Sequence, residues 1–449
     1  MSIWLILGEV SLGLLTLLVL IFAVYSLAEK EGRAFWRSAL LFVSLLVIQA
    51  ALLVIREPVR SWLGGCIFVF SGLVFLTMVF YPLKRQALEI VGDQKKIDER
   101  DVIFARFDYE EGTEIFKQYY QSRPEYREMD EKIRKLPDLF SPSHLVKNPW
   151  LFSLADMEFN FLEHQLTQVD GAVSADRVEV APAENTRCIK SIINYLGSDV
   201  CGICRLDQAY VYSHVGRGPE PYGQEIKNTH AYAVVFALEM DLGMVQAAPK
   251  APVVVETGKM YVEGARISII TAGLIRRLGY PARAHTAGSN YQIILPPLGW
   301  QAGIGELGRL GILITRKYGP RARLGLVTTD MPLVPDEPLT SGVQDFCQKC
   351  QKCARNCPAQ AISFGEKTEE NGVLKWVLNR EECYRYWRKV GTDCALCIYV
   401  CPYSKPDNLL HKAIRRMIER SAAVQTLSIR GDDFFYGRFP LRRPSRLDF

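Results

Sequence analysis

Cys347-Gln348-Lys349-Cys350-Gln351-Lys352-Cys353-Ala354-Arg355-Asn356-Cys357-Pro358 is the stretch that decides how this chain is read. Three thiols at intervals of three residues wrap three corners of a cuboidal iron–sulfur cluster. The fourth reaches over to a second cluster, and the proline turns the chain away. A second set follows: Cys383, then Cys394, Cys397 and Cys401 before Pro402. It departs from the usual run because ten residues separate Cys383 from Cys394. By the same cross-over, cluster one takes Cys347, Cys350, Cys353 and Cys401, and cluster two takes Cys383, Cys394, Cys397 and Cys357. Zinc prefers paired C-x-x-C motifs across a longer spacer and lacks the C-x-x-x-C-P closure.

The chain has 449 residues, twelve of them cysteine, and eight of the twelve lie within residues 347–401. A disulfide scaffold belongs to small secreted domains, so clustered thiols here point to metal. The net charge of +5 is mild and its basic residues are interspersed with acidic ones, which gives no sign of nucleic acid as a partner.

Three apolar runs open the sequence, roughly Trp4–Ala28, Phe35–Ile55 and Trp62–Leu83. Each matches the ~20 residues that span a hydrocarbon core. Trp4, Tyr25, Trp36, Trp62 and Tyr81 stand near their ends, where amphipathic rings favour the interface. A cleavable signal would be shorter, with a basic start. Lys30, Arg33 and Arg37 edge the first loop, and Lys84, Arg85, Lys95, Lys96 and Arg100 follow the third run. Only Arg56 and Arg60 lie between the second and third. The positive-inside rule places the soluble region in the cytoplasm, behind a multi-pass anchor in the cell membrane. Glu9, near the end of its span, is expected to snorkel.

Residues 86–140 are charged and helical in pattern, a linker onto the membrane. Beyond Pro149 the pattern is mixed α/β: Val178–Val180, Ala231–Leu238 and Val253–Glu256 read as strands, Cys188–Leu196 and Gly264–Leu278 as helices. Cys201-Gly202-Ile203-Cys204 sits in an apolar run resembling a strand, where residues three apart point to opposite faces. A packed strand is favoured there over a metal site. Leu298–Gly311 is glycine-rich, which allows close backbone approach to something flat, or simply tight turns.

Taken together, these residues resemble the corrinoid-dependent reductive dehalogenases. The stretches that carry the likeness are Asn185-Thr186-Arg187-Cys188-Ile189-Lys190, Tyr210-Val211-Tyr212-Ser213-His214, Ile275-Arg276-Arg277-Leu278-Gly279-Tyr280, Gly303-Ile304-Gly305-Glu306-Leu307-Gly308-Arg309, Thr328-Thr329-Asp330-Met331-Pro332 and Asp432-Asp433-Phe434-Phe435-Tyr436-Gly437. The similarity covers roughly residues 140–449 and includes the modified second cysteine set.

The resemblance implies an α/β (α+β) nitroreductase-like core that buries a base-off corrinoid (cobalamin), and a ferredoxin-like domain with two [4Fe-4S] clusters. The implied organisation is an anchor at 1–85, a linker at 86–145 and a corrinoid core at 146–338. A cluster domain at 339–410 follows, and a segment at 411–449 that packs back on the core. The resemblance also implies a tyrosine proton donor beside a fixed cation. Tyr261 and Arg323 fit these places, with Asn290 as polar neighbour and Arg321 as rival to Arg323. Gly303, Gly305, Glu306 and Gly308 are the implied cofactor contacts. There is no D-x-H-x-x-G motif: at His285-Thr286-Ala287-Gly288, Arg283 stands where the aspartate would be, which suits cobalt without a protein histidine.

The implied partners are an organohalide, membrane lipid, and an electron donor that is either a quinol or a reduced ferredoxin or flavodoxin. A homodimer is left open. Two rival readings remain. An epoxyqueuosine reductase should carry a carboxylate where this chain has Lys259-Met260-Tyr261. A non-enzymatic membrane iron–sulfur carrier would not need the ~200 residues between membrane and cysteines.

Overall fold

The computed structural model describes residues 2–80, 83, 85–288, 291–441, 443–445 and 447. They fall into two compact units, Met1–Arg85 with Pro406–Pro440, and Gln86–Lys405 with Leu441–Phe449.

The first unit is built on α1 (Ile3–Ala28), α2 (Gly32–Val54) and α3 (Val59–Phe80). All three are long and apolar enough to cross a membrane. Leu14, Leu18, Val24, Leu40, Val47 and Phe70 point outward, an apolar surface suited to lipid. A Cβ on Gly8 would lie 2.4 Å from the Gly64 carbonyl oxygen, so glycine is what lets α1 and α3 meet backbone to backbone. Glu9 does not snorkel. It pairs with Arg60 at 2.6 Å, and Gln49 donates to Thr16 at 2.8 Å.

The helices Leu409–Ile418 and Ala422–Phe435 belong to this unit, so of the segment 411–449 expected to pack on the core only Leu441–Phe449 falls in the core unit. Buried His411 donates to Glu29 at 3.0 Å, and the Phe22 and Phe435 ring centres are 4.5 Å apart. Arg37 donates to the Phe434 carbonyl and Arg33 to that of Tyr436, where a helix C-terminus attracts cations.

The second unit centres on a four-stranded antiparallel sheet of β1 (Val200–Arg205), β2 (Tyr232–Glu239), β3 (Ala282–His285) and β4 (Ala322–Thr329), in the order β1-β2-β4-β3. Alternate residues of β2 feed the core, Ala233, Val235 and Ala237 all being buried. Gly325 faces Phe236 across the ladder, and a Cβ there would sit 2.2 Å from that ring. Against the sheet lies a long helix, α4 (Pro252–Arg277), opened by Pro252 at its first position.

That helix corrects the strand expected at Val253–Glu256. The β-branched run is fully buried, and burial on one continuous helix overrides its strand propensity. Val178–Val180 forms no strand; Val178 instead bonds Leu278 and Tyr280 singly. Cys201 and Cys204 do lie in a packed strand, and burial pushes both thiols up to about 12.

Residues 86–145 are not a free linker. Glu89–Ile90 adds a strand to the hairpin Thr368–Glu370 and Val373–Lys375. Buried Arg106 bonds Glu381 at 2.9 Å, and Arg388 donates to the Leu136 carbonyl at 2.7 Å. This segment therefore clasps the insertion between the two cysteine sets.

Candidate active site and iron–sulfur centre

The helix Val343–Cys350 carries Cys347 and Cys350, breaks at Gln351 in a left-handed conformation, and resumes as a short turn bearing Cys353. Cys383 lies on the helix Arg380–Val390. Cys394 and Ala395 are both left-handed, so the chain curls before Cys397 and Cys401. The structure groups these thiols by their mutual influence. Cys401 is affected by Cys347, Cys350 and Cys353, and Cys397 by Cys394, Cys383 and Cys357, with Cys353 as a further neighbour. Cys357 likewise acts on Cys383 and Cys394. These influences overlap between the two sets, Cys357 also acting on Cys353, and the cross-over itself is a proposal.

Among the described residues no three His, Cys, Asp or Glu side chains gather as for a single ion. Burial pushes Cys353 up to about 11 and Cys383 and Cys394 up to about 12, and holds Cys347, Cys397 and Cys401 well above a normal thiol. Buried thiols of this kind ionise only beside a strongly cationic group, which is the donor set an iron–sulfur cluster takes. The Ala361 amide already donates to Cys357 Sγ at 3.3 Å, a hydrogen bond of the sort that tunes cluster sulfur.

Tyr261 lies on α4 and Arg323 on β4, and the sheet brings them together: the guanidinium carbon is 5.4 Å from the ring centre. Arg323 Nη2 donates to Thr257 Oγ1 and Asp393 Oδ2, each at 2.6 Å, and its buried Nε has no partner among the described residues. Tyr291 and Cys397 also act on this cation. Tyr212, Tyr291, Arg323 and Cys397 are all set deep in the protein. Burial raises both tyrosine hydroxyls, Tyr212 to about 12. The orphaned Arg323 Nε beside Tyr261 is a buried donor that the polar edge of a bound cofactor would satisfy.

Arg321 is not the site cation. It is 1% exposed and tied to Glu239 at 2.6 Å, to Ser404 at 3.3 Å and to the Met240 carbonyl. Asn290 lies outside the described residues.

The glycine-rich stretch does not form the expected cradle. A Cβ on Gly303 would strike the Glu337 carbonyl oxygen at 2.6 Å, on Gly305 the Ile314 carbonyl oxygen at 2.7 Å, and on Gly308 the Ile314 side chain at 2.5 Å. These glycines let the hairpin Gly305–Leu307 and Leu313–Thr315 close on the chain itself. Glu306 is buried and accepts from the Ser341 amide beside the start of Val343–Cys350, so it anchors the first cysteine helix.

His285 is buried and its two ring nitrogens are engaged. Nδ1 donates to the Tyr291 carbonyl at 2.6 Å, and Nε2 accepts from Thr328 Oγ1 at 2.9 Å. Desolvation, with Arg283 adding to it, pulls this imidazole down to about 3.

Sequence reasoning missed Thr257, Asp393 and Tyr291. Asp393 directly precedes a cysteine and Thr257 stands one helical turn before Tyr261, but no spacing in the sequence joins them.

The geometry defines a class: an α/β core whose paired Tyr261 and Arg323 lie next to a domain with two cysteine sets. Residues 346–405 match the 4Fe-4S dicluster domain family. The tetrachloroethene reductive dehalogenase of Sulfurospirillum multivorans is 30% identical over 286 residues, 56% of this chain and 56% of that protein. That of Desulfitobacterium hafniense is 30% identical over 312 residues, 59% of this chain and 56% of its own length. The solved catabolic reductive dehalogenase NpRdhA with 3-bromo-4-hydroxybenzoic acid aligns at a TM-score of 0.62 and 24% identity, over 81% of this chain and 51% of that one, a likeness of fold. Over more than half of its length the chain is similar to reductive dehalogenases. It spans just over half the length of the curated relatives it matches.

Proposed function

We propose that this chain is a membrane-anchored reductive dehalogenase that replaces a carbon–halogen bond of an organohalide with carbon–hydrogen. The observation that carries the reading is the Tyr261–Arg323 pair, on whose buried cation Cys397 also acts. Overall, one carbon–halogen bond breaks, halide leaves, and two electrons and one proton enter the carbon. A corrinoid bound beside this pair would supply low-potential cobalt to deliver those electrons to the substrate. Both nitrogens of His285 are occupied, so this imidazole offers no free nitrogen to a metal, in keeping with a base-off corrinoid that takes no ligand from it. Two [4Fe-4S] clusters on the grouped thiols would relay electrons inward, cluster two last.

The chain's own residues manage the proton and the charge. Tyr261 Oη donates its proton to the carbon as the halide departs. The fixed positive charge of Arg323 stabilises the phenolate that remains, because an opposite charge favours the ionised form. Thr257 and Asp393 hold that cation in place, so no reorganisation is needed at the moment of transfer. Phe159 packs on the Tyr261 ring, and both rest on the buried cluster of Leu162, Ala265 and Ala287, which fixes the ring that bears the hydroxyl.

The three apolar helices support attachment to the cell membrane, with the catalytic unit on the cytoplasmic side by the charge bias of the loops. The donor is a quinol or a reduced ferredoxin or flavodoxin. The test is anaerobic reconstitution with corrinoid, iron and sulfide, followed by a halide-release screen against Tyr261→Phe. A corrinoid absorbance with both clusters' iron supports the reading. Iron without corrinoid would sink it in favour of an electron carrier.

A further inference from the structure

We infer that Arg309 sets the reduction potential of the cluster held by Cys347, Cys350, Cys353 and Cys401, raising it above that of the same site without the cation. The inference rests on the cluster reading above and deepens it to how the first relay is tuned. Arg309 follows the strand Gly305–Leu307 and is 1% exposed. Its Nε donates to the Cys347 carbonyl at 3.1 Å, and Nη1 donates to the Ser363 and Gly365 carbonyls at 2.8 and 2.9 Å. The guanidinium carbon lies 4.5 Å from the centre of the Trp376 ring, and Lys367 Nζ lies 5.0 Å from it. The fork is thereby fixed to the first cysteine loop.

Every one of those partners is neutral. Glu366 contributes to the field at Arg309, but among the described residues no carboxylate pairs with it. Nη2 is buried with no hydrogen-bond partner. The groups that act on the cation are mainly Cys347, Cys353 and Cys350. A buried, unpaired cation with a spare N–H is costly beside neutral thiols. Beside an anionic cluster that gains one more negative charge on reduction, the same cation is stabilising. One electron enters in that step, with no bond or proton changed. A fixed positive charge and a hydrogen-bond donor both favour the reduced state.

The test uses the full chain in detergent with its clusters in place, titrated anaerobically with dithionite and followed by EPR. The signal lost in Cys401→Ser identifies the cluster concerned. Arg309→Gln should make that cluster about tenfold harder to reduce, a fall of about 59 mV for one electron. The other cluster should not move, and Arg309→Lys should recover most of the fall. Full iron content with an unmoved midpoint in Arg309→Gln overturns the inference. If Arg309→Gln loses iron, wild-type protein labelled with nitrogen-15 arginine decides the matter. A guanidinium nitrogen coupled to the reduced cluster, and absent in Arg309→Lys, supports it; no such coupling overturns it. A wild-type chain that binds no iron overturns the cluster reading itself.

Discussion

Arg323 reaches across the sheet to place its guanidinium 5.4 Å from the centre of the Tyr261 ring, and Asp393 holds it there at 2.6 Å. Asp393 is joined by a peptide bond to Cys394, a thiol of the second cysteine group. The cation beside Tyr261 is therefore anchored by the same loop that carries Cys394.

Removing the donor tests that juxtaposition first. Tyr261→Phe keeps the ring that packs on Phe159, whose centre is 6.1 Å away, and deletes only the hydroxyl. Halide release should fall by about 10²–10⁴-fold, the usual contribution of a positioned acid. Iron content and corrinoid absorbance should stay as in wild type. Unchanged turnover would remove Tyr261 from the mechanism.

Arg323 should prove the next most sensitive position. Arg323→Gln removes the charge but keeps an N–H donor for Thr257 and Asp393, so the Asp393 carboxylate loses its counter-charge and not its hydrogen bond. A loss of about 10²–10³-fold in kcat is expected, as for a lost transition-state donor. Asp393→Asn should lose less and chiefly lower kcat, because the cation remains but is no longer fixed. Equal KM effects and no kcat effect in both variants would argue for a structural role alone.

The crossed thiol groups make a prediction that position in the sequence would not. Cys401 belongs by sequence to the second set, yet the thiols that act on it are Cys347, Cys350 and Cys353. Cys401→Ser should therefore disturb the same EPR signal as Cys350→Ser. Cys357→Ser should instead disturb the signal lost in Cys383→Ser, whose thiol it neighbours. Pairing of the signals by sequence set would refute the cross-over.

Much of this was legible in the sequence because the cues were local. Cysteine spacing acts over three or four residues, and membrane helices announce themselves by unbroken apolar length. The strand around Cys201 was reached in the same way, whereas Tyr261 and Arg323 came from the family resemblance alone. What escaped were contacts made only by folding. Glycines 303, 305 and 308 looked open in sequence, but the hairpin fills the space beside each. Val253–Glu256 carried strand residues, yet a buried helix that continues to Arg277 absorbs them. Glu306 resembled a ligand contact and is instead the anchor of a helix start. The C-terminal helices carried family-like residues that said nothing about which unit they join.

Glu158 offers a check on the packing of the core by pH. The helix Pro149–His164 sets this carboxyl against α4, where a Cβ on Gly258 would lie 2.4 Å from its Oε2, an oxygen without a hydrogen-bond partner among the described residues. Burial, and then the nearby Glu256, raise it from 4.5 to about 7, with Lys259 opposing. Below its unfolded value both states are protonated and the site carries no pH-linked cost. As pH rises from about 4.5 to about 7 the unfolded chain ionises while the folded one keeps its proton, so stability falls across that window and then levels off. Glu158→Gln lacks this loss. Its apparent melting temperature should match wild type near pH 4.5 and exceed it increasingly up to pH 7, with no further gain at pH 8. A difference between the two proteins that does not change with pH would show that the carboxyl ionises in the folded state much as it does in the unfolded chain.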